Sequence, residues 1–187
     1  MNRTGSLARK TGETDIFVSL DLDGEGVSQI DTGIGFFDHM LSAVAKHGLM
    51  DLTVRVQGDL AVDGHHTVED TGIVFGAALA QALGDKKGIR RVGSCFLPMD
   101  ESLAFCALDI SGRPYLAFDA AFPAEMCGGY ASELTEEFFR AVSVSSGITL
   151  HLKAEGRNTH HMIEALYKAF ARALRDAAAL DPRVKGV

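Results

Sequence analysis

The sequence predicts an α+β fold made from one β-β-β-α-β-α unit used twice, with the helices packed on one face of mostly antiparallel sheets. Three observations carry this. The tetrad His-His-x-x-Glu occurs twice, as His65, His66 and Glu69 and as His160, His161 and Glu164, each heading a long amphipathic stretch. At a shift of 88 residues the first third of the chain falls on the middle without gaps. Arg3, Gly5 and Ser6 land on Arg91, Gly93 and Ser94, Glu13 on Glu101, Leu20-Asp21-Leu22 on Leu108-Asp109-Ile110, and Gly24 on Gly112. At the tetrads the shift is 95, as small changes in loop length would produce. The two halves are therefore residues 1–90 and 91–187, together one compact domain.

The elements follow in order. Ile16, Val18, Leu20 and Leu22 alternate, which predicts a half-buried strand, and Leu103, Phe105 and Ala107 predict its copy. Asp23-Gly24-Glu25-Gly26 and Ser111-Gly112-Arg113-Pro114 are turn chemistry leading into a further strand. FFDHMLSAVAKHG predicts a helix with Gly48 just past its end. Its partner is SELTEEFFRAVSVSSG, ending near Gly147. Leu52, Val54 and Val56, then Leu150 and Leu152, mark the next strands, and the tetrad helices close each unit. Two such halves packed helix to helix would bring the tetrads together.

Composition excludes several classes. The chain has 187 residues, 47% hydrophobic and 23% charged, enough for a real core. A net charge of −7 leaves no nucleic-acid footprint. No apolar run is long enough to cross a bilayer, and MNRTGSLARKTGETDIF lacks the apolar stretch of a signal peptide. Cys95, Cys106 and Cys127 have no C-x-x-C spacing and are expected as small core residues in a reducing cytoplasm.

The tetrads point to metal chemistry. Adjacent residues on a helix diverge by roughly 100°, so His65 and His66 aim better at two ions than at one. Glu69 is i,i+4 to His65 and i,i+3 to His66. Each tetrad therefore offers one chelating His/Glu pair and one His aimed elsewhere. Two tetrads give two ions, each taking a pair from one tetrad and the stray His of the other. His39, 26 residues before His65, and Glu137, 23 before His160, hold near-equivalent places and are candidate further ligands, with Glu136 an equal candidate beside Glu137. Imidazoles and carboxylates without thiolate suit Mn, Fe, Ni or Zn. In this acidic chain Arg91, Arg113 and Lys168 stand out, because guanidinium forks and an ammonium suit a phosphate.

The segments RKTGETDI, GFFDHML, KHG, DGHHTVEDTGI, PMDESLA, DISGRP, EEFFRA and THHMIEALYKAFARAL resemble, essentially end to end, the imidazoleglycerol-phosphate dehydratases of histidine biosynthesis. The resemblance implies a hydro-lyase that converts imidazoleglycerol phosphate to imidazoleacetol phosphate. It implies two Mn ions per site, with Zn, Fe or Ni as substitutes, that bind the substrate imidazole. Carried over by motif, His39, His66, Glu69 and His160 hold one ion, and His65, His161, Glu164 and Glu137 the other. Many family members have His at the Glu137 position. Substrate contacts carry over to Glu13, His39, His47, His65, Glu69, Arg91, Arg113, His160 and Lys168. Glu13 is the candidate for proton transfer, a role carboxylates serve.

The resemblance also implies a duplicated ribosomal protein S5 domain 2-like unit and a cytoplasmic homo-oligomer of 24 subunits built from trimers. Its sites lie at subunit interfaces, and it has no nucleic-acid or membrane partner. Family chains continue past DPRVKGV into a Pro-Ser-Ser/Thr-Lys-Gly segment that helps hold the phosphate, so reduced activity is expected of a chain ending at Val187. Two further readings stand beside this one. The first is a dinuclear metallohydrolase with a bridging hydroxide. The second is a non-catalytic protein in which metal only joins subunits.

Overall fold

A computed structural model describes residues 3–186, so the chain end at Val187 lies outside the described residues. The first half runs β1 (Thr4–Lys10), β2 (Thr14–Asp21), β3 (Ser28–Asp31), α1 (Gly35–Gly48), β4 (Asp51–Gly58) and α2 (His65–Leu83). The second runs β5 (Val92–Met99), β6 (Ser102–Asp109), β7 (Tyr115–Ala120), a short hairpin of β8 (Met126–Cys127) and β9 (Tyr130–Ala131), then α3 (Leu134–Ser146), β10 (Thr149–Glu155) and α4 (Thr159–Ala178). Apart from that hairpin, which the sequence reading lacked, the order is the predicted one. The halves build equivalent sheets, β1-β2-β4-β3 and β5-β6-β10-β7. In each, two strand pairs are antiparallel and the last, β3–β4 or β7–β10, is parallel.

Helices cover the inner face of each sheet, α2 on β1 and β2, and α4 on β5 and β6. They set down on matching glycines. A methyl on Gly5 would overlap the Ala78 carbonyl of α2, and one on Gly93 the Ala173 carbonyl of α4. The contact is the same one at the two repeat shifts. The shift of 88, which sets Ala104, Cys106 and Leu108 on Ile16, Val18 and Leu20, also explains a one-residue error in the expected face of β6. On β2 the inward set is Ile16, Val18 and Leu20, as predicted. On β6 it is Ala104, Cys106 and Leu108, while Leu103, Phe105 and Ala107 face outward. Side chains alternate with period two, so an offset of one residue exchanges the faces. β6 places the small Ala104 and Cys106 beneath α4, where β2 places Ile16 and Val18 beneath α2. The bulky residues go outside, where the Phe96 and Phe105 rings pack at a tilt of 40° with centroids 4.8 Å apart.

The halves join through their helices in a crosswise pattern, α1 against α4 and α2 against α3. The α1 and α4 axes run the same way: His39 lies by Glu164, and Gly48 by Ala171. Phe37, Phe138, Phe139, Tyr167 and Phe170 fill the junction, all fully buried. Each contributes about 2–3 kcal/mol of apolar burial. The β8–β9 hairpin adds Tyr130, whose hydroxyl lies 3.2 Å from those of Thr135 and Tyr167.

Smaller expectations are corrected here. α3 ends at Gly147 as predicted, in the left-handed region (φ 72°), but at the end of α1 that conformation falls on Leu49 (φ 51°). Gly48 is instead the last helical residue, buried against Met50. Of the three free cysteines only Cys106 is buried; Cys95 and Cys127 are partly exposed. No helix among the described residues is long and apolar enough to cross a membrane.

Candidate metal centre at the helix N-termini

Side-chain hydrogen bonds pin the starts of α1, α2 and α4, three of the four helices that carry candidate ligands. At α1, the carboxylate of Asp38 in the first turn accepts from the amide (2.9 Å) and hydroxyl (2.6 Å) of Thr32 ahead of the helix. Before α2, Asp63 accepts from the His65 amide at 2.8 Å. At α4, the Asn158 side chain caps the helix by accepting from the His161 amide at 3.2 Å, as N-cap chemistry requires.

The crosswise helix pairing brings His39 of α1 to the second tetrad. Glu164 Oε2 is 3.1 Å from His160 Nε2 and 3.5 Å from His39 Nε2, while Lys168 Nζ sits 2.6 Å from Oε1. Burial opposes the charge on Glu164, whose side chain is 8% exposed. The Lys168 ammonium and the two histidines outweigh it, so its pKa lies below the ordinary value. Phe36 holds the His160 ring edge-on at 5.0 Å. The donor atoms of His39, His160 and Glu164 lie within 4.8 Å of one another, the one such group among the described residues. Two imidazole nitrogens and a carboxylate oxygen at this spacing fit a divalent first-row ion.

The first tetrad is arranged similarly but openly. His65 Nε2 stands 3.6 Å from Glu69 Oε2, and both side chains are over 40% exposed. His65 lines a cleft of about 570 Å³ with Asp63, Glu133 and Leu134, next to α3. Glu137 of α3 turns to Arg140, 3.5 Å away, as Glu136 does at 2.6 Å. The tetrads therefore do not merge within one chain. Each meets the α1-type helix of the other half, because the helices pair crosswise.

The second histidine of each tetrad points elsewhere, as helical divergence demands. His66 Nδ1 is 2.9 Å from Asp59 Oδ2, and its Nε2 is 3.8 Å from Glu13 Oε1. His161 Nδ1 is 2.9 Å from Glu101 Oε2, and its Nε2 is 3.8 Å from Asp100 Oδ2. These hydrogen bonds to Asp59 and Glu101 raise both histidine pKa values. Sequence reasoning missed Asp59, Asp100 and the role of Glu101. The available signals were the acidic residue six positions ahead of the first tetrad, and the repeat that sets Glu101 on Glu13.

His47 and Lys168 share a cleft with Arg172, another residue the sequence reading passed over. Partial burial, then the Lys168 and Arg172 charges, push the His47 pKa down. Arg91 and Arg113 lie elsewhere. Asp109 receives both, with Arg91 Nε at 2.7 Å and Arg113 Nη2 at 3.6 Å. The Arg91 amide donates to the Ala177 carbonyl at 2.8 Å. From His160 to Ala177 is roughly 25 Å along α4, at 1.5 Å rise per residue.

Fold and site together define a duplicated α+β enzyme scaffold, with imidazole–carboxylate pairs at its helix starts and cationic groups along α4. The family model described as "Imidazoleglycerol-phosphate dehydratase" matches residues 32–174. A protein of that name from Symbiobacterium thermophilum is 64% identical over 99% of this chain and 89% of its own length. One from Acetivibrio thermocellus is 61% identical over 100% and 96%. The crystal structure of the dehydratase from Staphylococcus aureus superposes with a TM-score of 0.87 at 42% identity, covering 95% of this chain and 99% of its own. That of the Pyrococcus furiosus protein in complex with (S)-C348 gives 0.84 at 34% identity, covering 97% and 98%. The chain belongs to the imidazoleglycerol-phosphate dehydratase family, a family of hydro-lyases.

Proposed function

We propose that this chain dehydrates imidazoleglycerol phosphate to imidazoleacetol phosphate in histidine biosynthesis, in the cytoplasm, at dinuclear Mn sites shared between subunits of a homo-oligomer. The observation that carries this reading is the His39–His160–Glu164 cluster, formed between the two halves of a member of the family. A divalent ion bound there would lower the pKa of the substrate's imidazole N–H and stabilise negative charge on the ring. His39, His160 and Glu164 would hold one ion, completed by the turned-away His66 of a neighbouring copy, and His65, Glu69 and Glu137 the other, completed by its His161; the structure pairs each glutamate with the histidine four residues before it, which exchanges Glu69 and Glu164 relative to the sets the family resemblance implies. The adjacency of His39 and His160 within one chain supports this, as does the turning away of His66 and His161, which leaves them to a neighbouring copy.

The reaction breaks one C–O and one C–H bond, giving water and an enol that becomes the ketone. Glu13 suits the C–H proton: its side chain is 56% exposed, and no hydrogen bond engages its carboxylate among the described residues. Arg91, Arg113 and Lys168 suit the phosphate, and His47 stands beside Lys168. An imidazole bearing a three-carbon phosphate chain spans on the order of 8–10 Å at ordinary bond lengths. That is far less than the distance from His160 to the Arg91 backbone, which supports a site completed by a second copy. Assembly into 24 subunits from trimers is the arrangement the family resemblance gives.

A spectrophotometric assay for the enolisable keto product tests the reading. The Mn-loaded protein should form product from imidazoleglycerol phosphate, and chelated protein or His160→Ala should not. Full turnover after verified metal removal would overturn it.

A further inference from the structure

We infer that Glu101 and Asp59 are positioning residues of the metal centre: each accepts the Nδ1–H of one outward-turned histidine, His161 or His66, and so presents that ring's Nε2 as the ligand atom. This rests on the metal reading proposed above. An imidazole with its Nδ1–H donated to a carboxylate is fixed in tautomer and in ring orientation. Both contacts are 2.9 Å.

The duplication sharpens the inference, because the two carboxylates are not equivalent. By the repeat, Glu101 corresponds to Glu13. Gly58, which ends β4, corresponds to Gly156, just after β10, so Asp59 falls on Arg157. The first half therefore orients its histidine from the loop after the fourth strand. The second half has a cation at that place and orients its histidine from the hairpin between its first two strands. The Arg157 amide itself donates to Glu101 at 3.2 Å, beside the Asn158 amide at 2.9 Å and the Ser102 hydroxyl at 2.9 Å. Glu101 is thus fully engaged, and the bonds from His161 and Ser102 hold its pKa at about 2. With Asp59 doing the orienting in the first half, Glu13 is released to face the site. Two glutamates at one repeat position have divided the work.

The test is titration of the metal-stripped full chain with Mn, read by calorimetry, on the wild type and on Glu101→Gln, Asp59→Asn and Glu13→Gln. The Gln and Asn variants keep an oxygen for the neighbouring donors, and circular dichroism melts confirm the fold. Glu101→Gln and Asp59→Asn should each lower Mn affinity by roughly ten- to a hundredfold. Glu13→Gln should bind Mn as the wild type does. A cycle with His161→Ala separates positioning from simple support of α4: once His161 is removed, Glu101→Gln should cost no further affinity. Wild-type affinity in Glu101→Gln, or an equal loss with and without His161, would overturn the inference while leaving the metal reading intact. A wild type that binds no Mn would overturn both.

Discussion

The two ends of the helix layer occupy equivalent places in the repeat and behave differently. At the α1–α4 end, Glu164 is 8% exposed and is met by Lys168, His160 and His39. At the α2–α3 end, Glu69 is 42% exposed and, among the described residues, is met by His65 alone, at a longer distance. The residue one turn further on explains much of this. Lys168 in α4 corresponds to Ile73 in α2, so the first tetrad has no ammonium to pull its carboxylate inward. Duplication copied the backbone, down to the glycine under each helix, and left the side chains free to diverge. One end became a satisfied, buried ionic cluster, and the other stayed open to solvent.

Three experiments bear on that comparison. The largest effect should be common to both halves. Gly5→Ala and Gly93→Ala each force a methyl into a helix carbonyl, so each should destabilise the fold by about 3 kcal/mol in urea unfolding. A mild result in one half alone would show that the two helix–sheet contacts differ in rigidity. Next comes the contrast itself. Glu164→Ala strands the mostly buried Lys168 ammonium and should cost about 3 kcal/mol, whereas the exposed Glu69→Ala should cost less than about 0.5 kcal/mol. Equal costs would mean the buried cluster is no better satisfied than the open one. The smallest effect concerns the loops before the third strands. In the first half, Asp51 accepts the amides of Glu25 and Val27, both at 2.9 Å. In the second, Thr149 takes its place and donates to the Arg113 carbonyl at 2.8 Å. The amide bonds from Val27 and Glu25 lower the Asp51 pKa from its ordinary 3.8. A depressed folded value means the contribution is complete above about 3.8 and is lost as pH falls through the folded pKa. Thermal melts should therefore show Asp51→Asn below the wild type at neutral pH, with the gap closing under acid. A gap that widens instead would reverse the sign of this linkage.

What could be read from the sequence was what repeats. Element order, sheet content and the two tetrads follow from periodicity and self-similarity, because equivalent backbone needs equivalent patterns. What escaped was side-chain environment. Leu103, Phe105 and Ala107 look like an inward row, yet the smaller alternate row of Ala104 and Cys106 lies under α4, since the repeat register, which sets that row on Ile16 and Val18, and not hydrophobicity chose the face. The β8–β9 hairpin is two residues per strand, too short to have a period. Asp59 and Glu101 resemble any surface acid until folding sets them against His66 and His161. The separation of Arg91 and Arg113 from the α4 start is likewise tertiary, since nothing in a linear spacing tells which end of a helix a loop will reach.

The buried Tyr130–Tyr167 pair has an optical consequence. The chain contains no tryptophan and three tyrosines, and two of those meet hydroxyl to hydroxyl in the junction between the halves. Its near-ultraviolet circular dichroism is therefore weighted towards one asymmetric, water-excluded contact that exists only when the β8–β9 hairpin and α4 are both in place. Loss of that signal while far-ultraviolet helicity persists would report release of the β8–β9 hairpin from α4 before the helices melt, with no label attached to the protein.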